Sequence, residues 1–217
     1  MPSIKDTLQD IIGRLNQHFV KPEGAATKTK PAALPKEISI PIIIPERLAG
    51  VSIKYQDYSF DNFKGNEKLV RDLRDIKVES IILSGKTGCG KTHLAISMLR
   101  EANLRWAAYF ITIPELLLKI RGSFDSQSNE TEEEIIAKFS DYELLVLDDL
   151  GAEKTTEYSI TTLYLILDRR NRENRRTIIT TNLSLQDIEE TLGARIASRL
   201  ADMKFIKINM QDYRKNR

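Results

Sequence analysis

One eight-residue segment constrains this chain of 217 residues more than any other feature. The segment follows the pattern GxxxxGK[ST], lies between an apolar run at 80–84 and a helical pattern, and reads Gly85, Lys86, Thr87, Gly88, Cys89, Gly90, Lys91, Thr92. Glycines at this spacing let backbone N–H groups surround a phosphate, and the following helix N-terminus favours an anion. The segment therefore predicts a nucleotide-binding phosphate loop, with Lys91 on the β and γ phosphates and Thr92 on Mg²⁺. A glycine-rich turn without a ligand is the alternative.

Composition excludes several classes of protein. The chain is 41% hydrophobic and 29% charged, and 33 basic residues nearly balance 31 acidic ones, so any nucleic-acid surface must be local. One cysteine and two histidines argue against a disulfide framework or a structural zinc site. No apolar run approaches the roughly 18 residues of a membrane span, and the N-terminus lacks a signal-peptide pattern. We therefore expect a cytoplasmic protein without a membrane partner.

The first fifty residues differ from the rest of the chain. Apolar residues recur at helical spacing within residues 1–20, at Ile4, Leu8, Ile11, Ile12, Leu15 and Phe19. A lone helix of this length is marginal in water, so it must pack on its own domain, on a copy of itself or on a partner. Residues 21–50 are rich in proline, alanine and lysine and are typical of an extended linker. We predict a partner-binding helix, a linker and an ATPase domain at 51–217.

From residue 51 onward, apolar and helical patterns alternate as they do in α/β proteins. The predicted strands fall at about 80–84, 107–112, 143–147, 177–181 and 204–209, with helices that include 114–121 and 131–140. The strands are almost continuously apolar, which suits a parallel sheet covered on both faces. The fold prediction is a five-stranded parallel sheet covered by helices.

Two adjacent carboxylates end the third predicted strand, at the sheet edge where ligands of open α/β folds bind. Asp148 is predicted to hold Mg²⁺, and Asp149 to orient or deprotonate the attacking water. A turn or helix cap is the alternative for such a pair. Asn182 follows the fourth strand, where it would sense the γ-phosphate or position water, although asparagine after a strand is usually a turn residue.

Arginines are concentrated near the end of the chain. Arg195 and Arg199 are four residues apart and therefore share a helix face. They are either a solvated face or an arginine finger that reaches the phosphates of a neighbouring subunit. Five further arginines lie between residues 168 and 176, and we interpret them as a solvated helix end rather than a phosphate-facing patch.

Taken together, these motifs resemble the DnaC/IstB group of AAA+ ATPases over about residues 45–217. The resemblance is carried by 110–117 (FITIPELL), 144–154 (LLVLDDLGAEK), 180–184 (TTNLS), 192–200 (LGARIASRL) and 212–214 (DYR). It implies an AAA+ P-loop fold with a reduced or absent lid domain, and ATP and Mg²⁺ as cofactors.

The same resemblance implies site roles. Arg199 matches the arginine finger that acts in trans, Arg195 is its neighbour, and Arg214 matches the arginine that acts in cis. Many relatives have glutamate in place of Asp149. Because aspartate is one methylene shorter, slow hydrolysis stimulated by DNA or assembly is expected.

Contacts with single-stranded DNA are expected at Phe124, Thr156 and Tyr158, which match DNA-binding positions of the group. An exposed Phe124 ring would stack on a base. The alternative is a ring that folds back onto the helix predicted at 114–121.

Three functions remain open from the sequence. The first is an ATPase that forms a ring or spiral on ATP binding and places a replicative DNA helicase on single-stranded DNA. The second is a transposition regulator of the same group that binds duplex DNA. The third is an ATP-bound adaptor that does not hydrolyse its nucleotide.

Overall fold

Five parallel strands form the centre of the protein. The computed structural model describes residues 48–76, 79–102, 107–125, 127–152 and 156–212. The strands are β1 (Ile81–Gly85), β2 (Ala108–Thr112), β3 (Leu144–Leu150), β4 (Arg176–Thr181) and β5 (Lys204–Ile208). Their order in the sheet is β2-β3-β4-β1-β5, and every neighbouring pair is parallel. The predicted five-stranded parallel sheet is confirmed.

Helices connect the strands and cover both faces of the sheet. They are α1 (Glu67–Asp75), α2 (Lys91–Glu101), α3 (Ile113–Gly122), α4 (Glu132–Asp141), α5 (Glu157–Arg172), α6 (Leu185–Leu192) and α7 (Ala194–Leu200). Both named helix predictions, now α3 and α4, are confirmed to within one residue at each end. Four helices begin at a hydroxyl residue that accepts a hydrogen bond from the third helical N–H, namely Thr112, Thr131, Thr156 and Ser184. None of the described helices is long and apolar enough to cross a membrane.

The sheet separates two apolar cores. Ile81 and Leu83 of β1 pack with α1 and α2 on one face, whereas Ile82 packs with α3 to α7 on the other. All three side chains are fully buried. Because neighbouring residues of a strand face opposite sides, covering both faces requires the unbroken apolar runs seen in the sequence.

The arginine-rich end of α5 differs from the sequence-based expectation. Arg170 is only 1% exposed and forms part of the interior, so the prediction of a solvated helix end is wrong at this residue. Arg169 and Arg172 form surface ion pairs with Asp141 and Asp168. The segment continues into the amino end of β4, whereas the phosphate loop follows the carboxyl end of β1. The arginines therefore do not face the predicted phosphate site.

Several predictions concern residues outside the described ranges. These are the N-terminal helix at 1–20, the linker except for 48–50, and Arg214. Between β5 and Arg214 the structure describes residues 209–212, which contain no helix. The reduced lid stays a prediction.

Candidate nucleotide-binding site

The predicted phosphate loop joins the carboxyl end of β1 to the start of α2. Gly88 and Gly90 have φ values of 80° and 93°, which side chains with a Cβ rarely adopt. A Cβ on Gly90 would lie 2.6 Å from the ring of Phe63, and one on Gly88 would overlap the carboxylate of Asp212. Cys89 between them is fully buried. Both conformation and space therefore require the glycines of the motif.

The Lys91 side chain crosses beneath this loop. Its ammonium nitrogen Nζ lies 2.9 Å from the carbonyl oxygen of Gly85 and 3.1 Å from that of Lys86. Its third acceptor is Oδ1 of Asn182, at 2.6 Å. Lys91 and Asn182 are 91 residues apart in the chain, and the sheet brings these two predicted site residues into contact. The ammonium group is thus held between the start of the loop and the residue that follows β4.

Asp148, near the end of β3, is in hydrogen-bond contact with Thr92, the last residue of the phosphate-loop motif. Oγ1 of Thr92 lies 3.0 Å from Oδ1 and 3.1 Å from Oδ2 of this carboxyl. The hydroxyl of Thr180 donates to Oδ1 at 2.6 Å. Burial, together with the neighbouring charge of Asp149, raises the pKa of Asp148 to about 6 despite these hydrogen bonds. A bound cation would stabilise the charged carboxylate.

The oxygen atoms of Thr92 and Asp148 are suited to the way in which Mg²⁺ is bound at nucleotide sites. Among the described residues, no group of three or more His, Cys, Asp or Glu side chains forms a metal cluster. Mg²⁺ is usually held by one or two protein oxygens together with substrate phosphates and water. The Thr92 hydroxyl and the Asp148 carboxylate supply two such oxygens beside the loop.

Asp149 has an unusual backbone conformation. Its φ is 63°, in the left-handed region that aspartate tolerates better than most residues. Its backbone N–H donates to Oγ1 of Thr180 at 2.9 Å, where the pairing of β3 with β4 is irregular. Asp148 is buried whereas Asp149 is half-buried, so the two acidic residues differ in their exposure to solvent.

Sequence analysis missed Thr180, whose hydroxyl contacts both acidic residues. A signal was present, because residues two apart in a strand face the same side and Thr180 precedes Asn182 by two. A cavity of about 490 Å³ opens nearby at the carboxyl ends of β1, β4 and β5, with Lys86, Asn182 and Lys207 in its lining. Ligands of open α/β sheets bind at this edge.

The two predicted finger arginines lie on α7. Arg195 is exposed. Arg199 is held against α5 by Asp168 and Tyr164, which accept its hydrogen bonds within the described ranges. Neither of these hydrogen bonds joins Arg199 to the phosphate loop of its own chain.

The three predicted DNA-binding residues lie close together. The ring of Phe124 is 61% exposed, and its centroid lies 5.8 Å from that of Tyr158. The Tyr158 hydroxyl donates to Oε1 of Glu132 at 2.8 Å. Thr156 caps α5 by accepting a hydrogen bond from the N–H of Ser159. Phe124 belongs to neither apolar core, and its exposure leaves most of the ring accessible to a base.

A parallel sheet of this order, with a phosphate loop after β1 and paired acids near the end of β3, is the P-loop nucleotide-binding fold of the AAA+ class. Its solved neighbours share this fold. The DnaC helicase loader has a TM-score of 0.64 at 22% identity and covers 73% of this chain and 100% of that one. DnaI has a TM-score of 0.63 at 23% identity, and the match covers 77% of this chain and 96% of DnaI. AMPPCP-bound DnaA from Aquifex aeolicus has a TM-score of 0.61 at 19% identity, and the match covers 72% of this chain and 52% of that DnaA chain.

The chain belongs to the family of IstB-like ATP binding proteins, whose sequence model matches residues 48–216. The replicative helicase loader DnaC of Buchnera aphidicola (subspecies Acyrthosiphon pisum) is 29% identical over 163 residues, 70% of this chain and 66% of that protein. The loader DnaC of Escherichia coli K12 is 28% identical over 179 residues, 76% and 73% of the two chains. The resemblance to the DnaC/IstB group is confirmed, and the family binds ATP.

Proposed function

We propose that this protein is an ATPase that places a replicative DNA helicase on single-stranded DNA. The observation that carries the proposal is the meeting of Lys91 with Asn182 and of Thr92 with Asp148, in a chain whose relatives are named as helicase loaders. These four side chains join three strand ends into one polar site.

Each side chain of this site has a proposed role. The backbone N–H groups of 85–92 and the Lys91 ammonium bind the phosphates of ATP. The Thr92 hydroxyl and Asp148 hold Mg²⁺, which when bound supplies charge neutralisation at the phosphates. Asp149 orients or deprotonates the attacking water, and Asn182 senses the γ-phosphate or positions that water. We expect hydrolysis to be slow and to be stimulated by DNA or by assembly.

Assembly supplies the remaining charge. Arg199 acts on the nucleotide of a neighbouring copy in a ring or spiral, with Arg195 beside it, and Arg214 acts in cis. Asp212 lies against Gly88 of the loop, which supports a place near the nucleotide for the segment that leads to Arg214. If Arg199 acts in trans, mixing Arg199→Ala with Lys91→Ala protein restores turnover, because some interfaces pair an intact pocket with an intact finger.

Single-stranded DNA is proposed to bind at the exposed ring of Phe124 and the half-buried ring of Tyr158 beside it. An aromatic contact of this kind stabilises a stacked base by about 1 to 3 kcal/mol and is tolerant of sequence. Thr156 lies at the same helix end and would contact the backbone. Phe124→Ala is expected to weaken binding to single strands without changing affinity for ATP.

The helicase itself is proposed to bind residues 1–20. A short apolar stripe, at Ile4, Leu8, Ile11 and Leu15, fits a groove on a partner. In the full-length protein, Leu8→Asp should abolish helicase association but leave ATP binding unchanged. Retained association would assign the helix to its own domain or to pairing between copies.

The deciding experiment is co-purification with candidate replicative helicases, followed by helicase loading onto single-stranded DNA with ATP and without it. A second function is favoured by the match to the IstB-like family, namely a transposition regulator on duplex DNA. Preference for duplex over single strands, with no helicase in the complex, would select that function. Helicase binding without ATP turnover would select the non-hydrolysing adaptor.

A further inference from the structure

The guanidinium of Arg199 is held by two side chains of α5. Its Nε donates to Oδ1 of Asp168 at 2.7 Å, and Nη2 lies 3.4 Å from the hydroxyl oxygen of Tyr164. Its central carbon lies 5.6 Å from the centroid of the Tyr164 ring. No described residue takes a hydrogen bond from Nη1.

The carboxylate that holds Arg199 is itself fixed. Oδ2 of Asp168 forms an ion pair with Nε of Arg172 at 3.0 Å, within the same helix. The side chain of Asp168 is 17% exposed and that of Arg199 is 35% exposed. The acid therefore lies beneath the guanidinium, and the guanidinium is the outer member of the pair.

This arrangement has a geometric consequence. A guanidinium is planar, so the hydrogen bond at Nε and the cation–π contact with the Tyr164 ring together restrict its orientation. A free arginine would lose rotamer freedom each time it met a phosphate. Here that freedom is lost on folding, and the Nη edge is already oriented when a partner arrives.

We infer that Asp168, supported by Tyr164, is a positioning residue that holds Arg199 in a fixed orientation toward the nucleotide of a second copy of this chain. The inference rests on the proposed role of Arg199 in trans. Asp168 does not touch the nucleotide and acts only through the arginine. The opposing explanation is an ordinary ion pair that stabilises the packing of α7 on α5.

ATP turnover of full-length variants tests the inference. Asp168→Ala should lower kcat by about 10-fold to 100-fold, the size expected when a catalytic group is displaced by about 1 Å. The Kd for ATP should stay within about twofold of wild type, because the pocket belongs to the same chain and is intact. Asp168→Asn keeps the Oδ1 acceptor and should retain most of the turnover.

A matched control removes another acidic partner of α5. Asp141 pairs with Arg169, and this pair is exposed. Asp141→Ala loses an ion pair by the same substitution and should turn over ATP at the wild-type rate.

Mixing separates positioning from structural damage. A Lys91→Ala protein cannot use its own pocket but carries an intact Asp168 and Arg199. When it is added to Asp168→Ala protein, turnover should recover, because its finger acts on the intact pocket of the variant. A folding defect in Asp168→Ala would not be repaired in this way.

Three results would overturn the inference. If Arg199→Ala lowers kcat and Asp168→Ala does not, the positioning role of Asp168 is refuted, while the proposed role of Arg199 in trans is retained. If Asp168→Ala loses turnover that mixing does not restore, the ion pair is structural. If turnover does not depend on Arg199, or wild type shows none, the proposed trans role fails and the positioning role fails with it.

Discussion

Replacing the buried Arg170 by methionine is expected to destabilise the fold by about 3 kcal/mol. Among the described residues, the Arg170 guanidinium donates to no carboxylate but to four carbonyl oxygens and one hydroxyl. The acceptors are the carbonyls of Phe139, Ser140, Tyr142 and Arg176, at 2.5 to 3.1 Å, and Oγ1 of Thr177, at 2.9 Å. This one side chain thereby ties the end of α4 to the start of β4.

The magnitude follows from these contacts. Methionine is long and apolar, so it fills most of the space but leaves four carbonyl oxygens without their donor. An unsatisfied buried acceptor costs about 1 to 3 kcal/mol, and the lower end applies where water can reach a helix terminus. The cost of burying a charge opposes this loss, because the substitution by methionine removes that cost. Burial, with repulsion from Arg175, lowers the pKa of Arg170 to about 9 and so reveals the cost of that charge.

Thermal melting followed by circular dichroism measures the effect. For a chain of this size, about 3 kcal/mol corresponds to a fall of about 6 to 12 °C in Tm. Arg169→Met is the matched control. It removes the same charge from the preceding residue of the helix, which forms an exposed ion pair with Asp141. That control should change stability by less than about 1 kcal/mol. Equal losses of Tm in the two variants would refute the role given to the buried guanidinium.

Three further outcomes are expected at the nucleotide site. Lys91→Ala should abolish tight ATP binding, measured by calorimetry, while the circular dichroism spectrum stays that of wild type; normal affinity would contradict the phosphate-loop assignment. Asp149→Asn should bind ATP and Mg²⁺ but lose most phosphate release, because only the water-activating carboxylate is changed; wild-type turnover would leave Asp149 as a turn residue. Asp148 is protonated more readily in the folded state than in the unfolded one, so its contribution to stability is complete only below the ordinary pKa of 3.8 and is lost as the pH rises from there through about 6. In EDTA, Asp148→Asn should therefore gain about 2 kcal/mol relative to wild type between pH 4 and pH 7, and a Tm difference that does not vary with pH would argue against this titration.

Much of the fold could be predicted because its determinants are local. An apolar run, a capping hydroxyl and a glycine-rich loop each act within a few residues, and each can be recognised without knowing what packs against it. The starts of the predicted strands lie within one residue of those observed. The largest error is the end of β3, which continues to Leu150 because that residue still pairs with Thr181 beyond the irregular register at Asp149.

The sequence by itself determined which chemical groups the site would contain, because the motif residues are adjacent in the chain or directly follow predicted strands. Only the tertiary structure decided which of them meet. The contact of Lys91 with Asn182 depends on β1 lying beside β4, and that of Arg199 with Asp168 depends on how α7 packs on α5. Neither arrangement has a local signal, because strand order and helix packing are set by burying the two faces of the sheet as a whole. For the same reason, nothing in the sequence distinguished the buried Arg170 from its solvated neighbours.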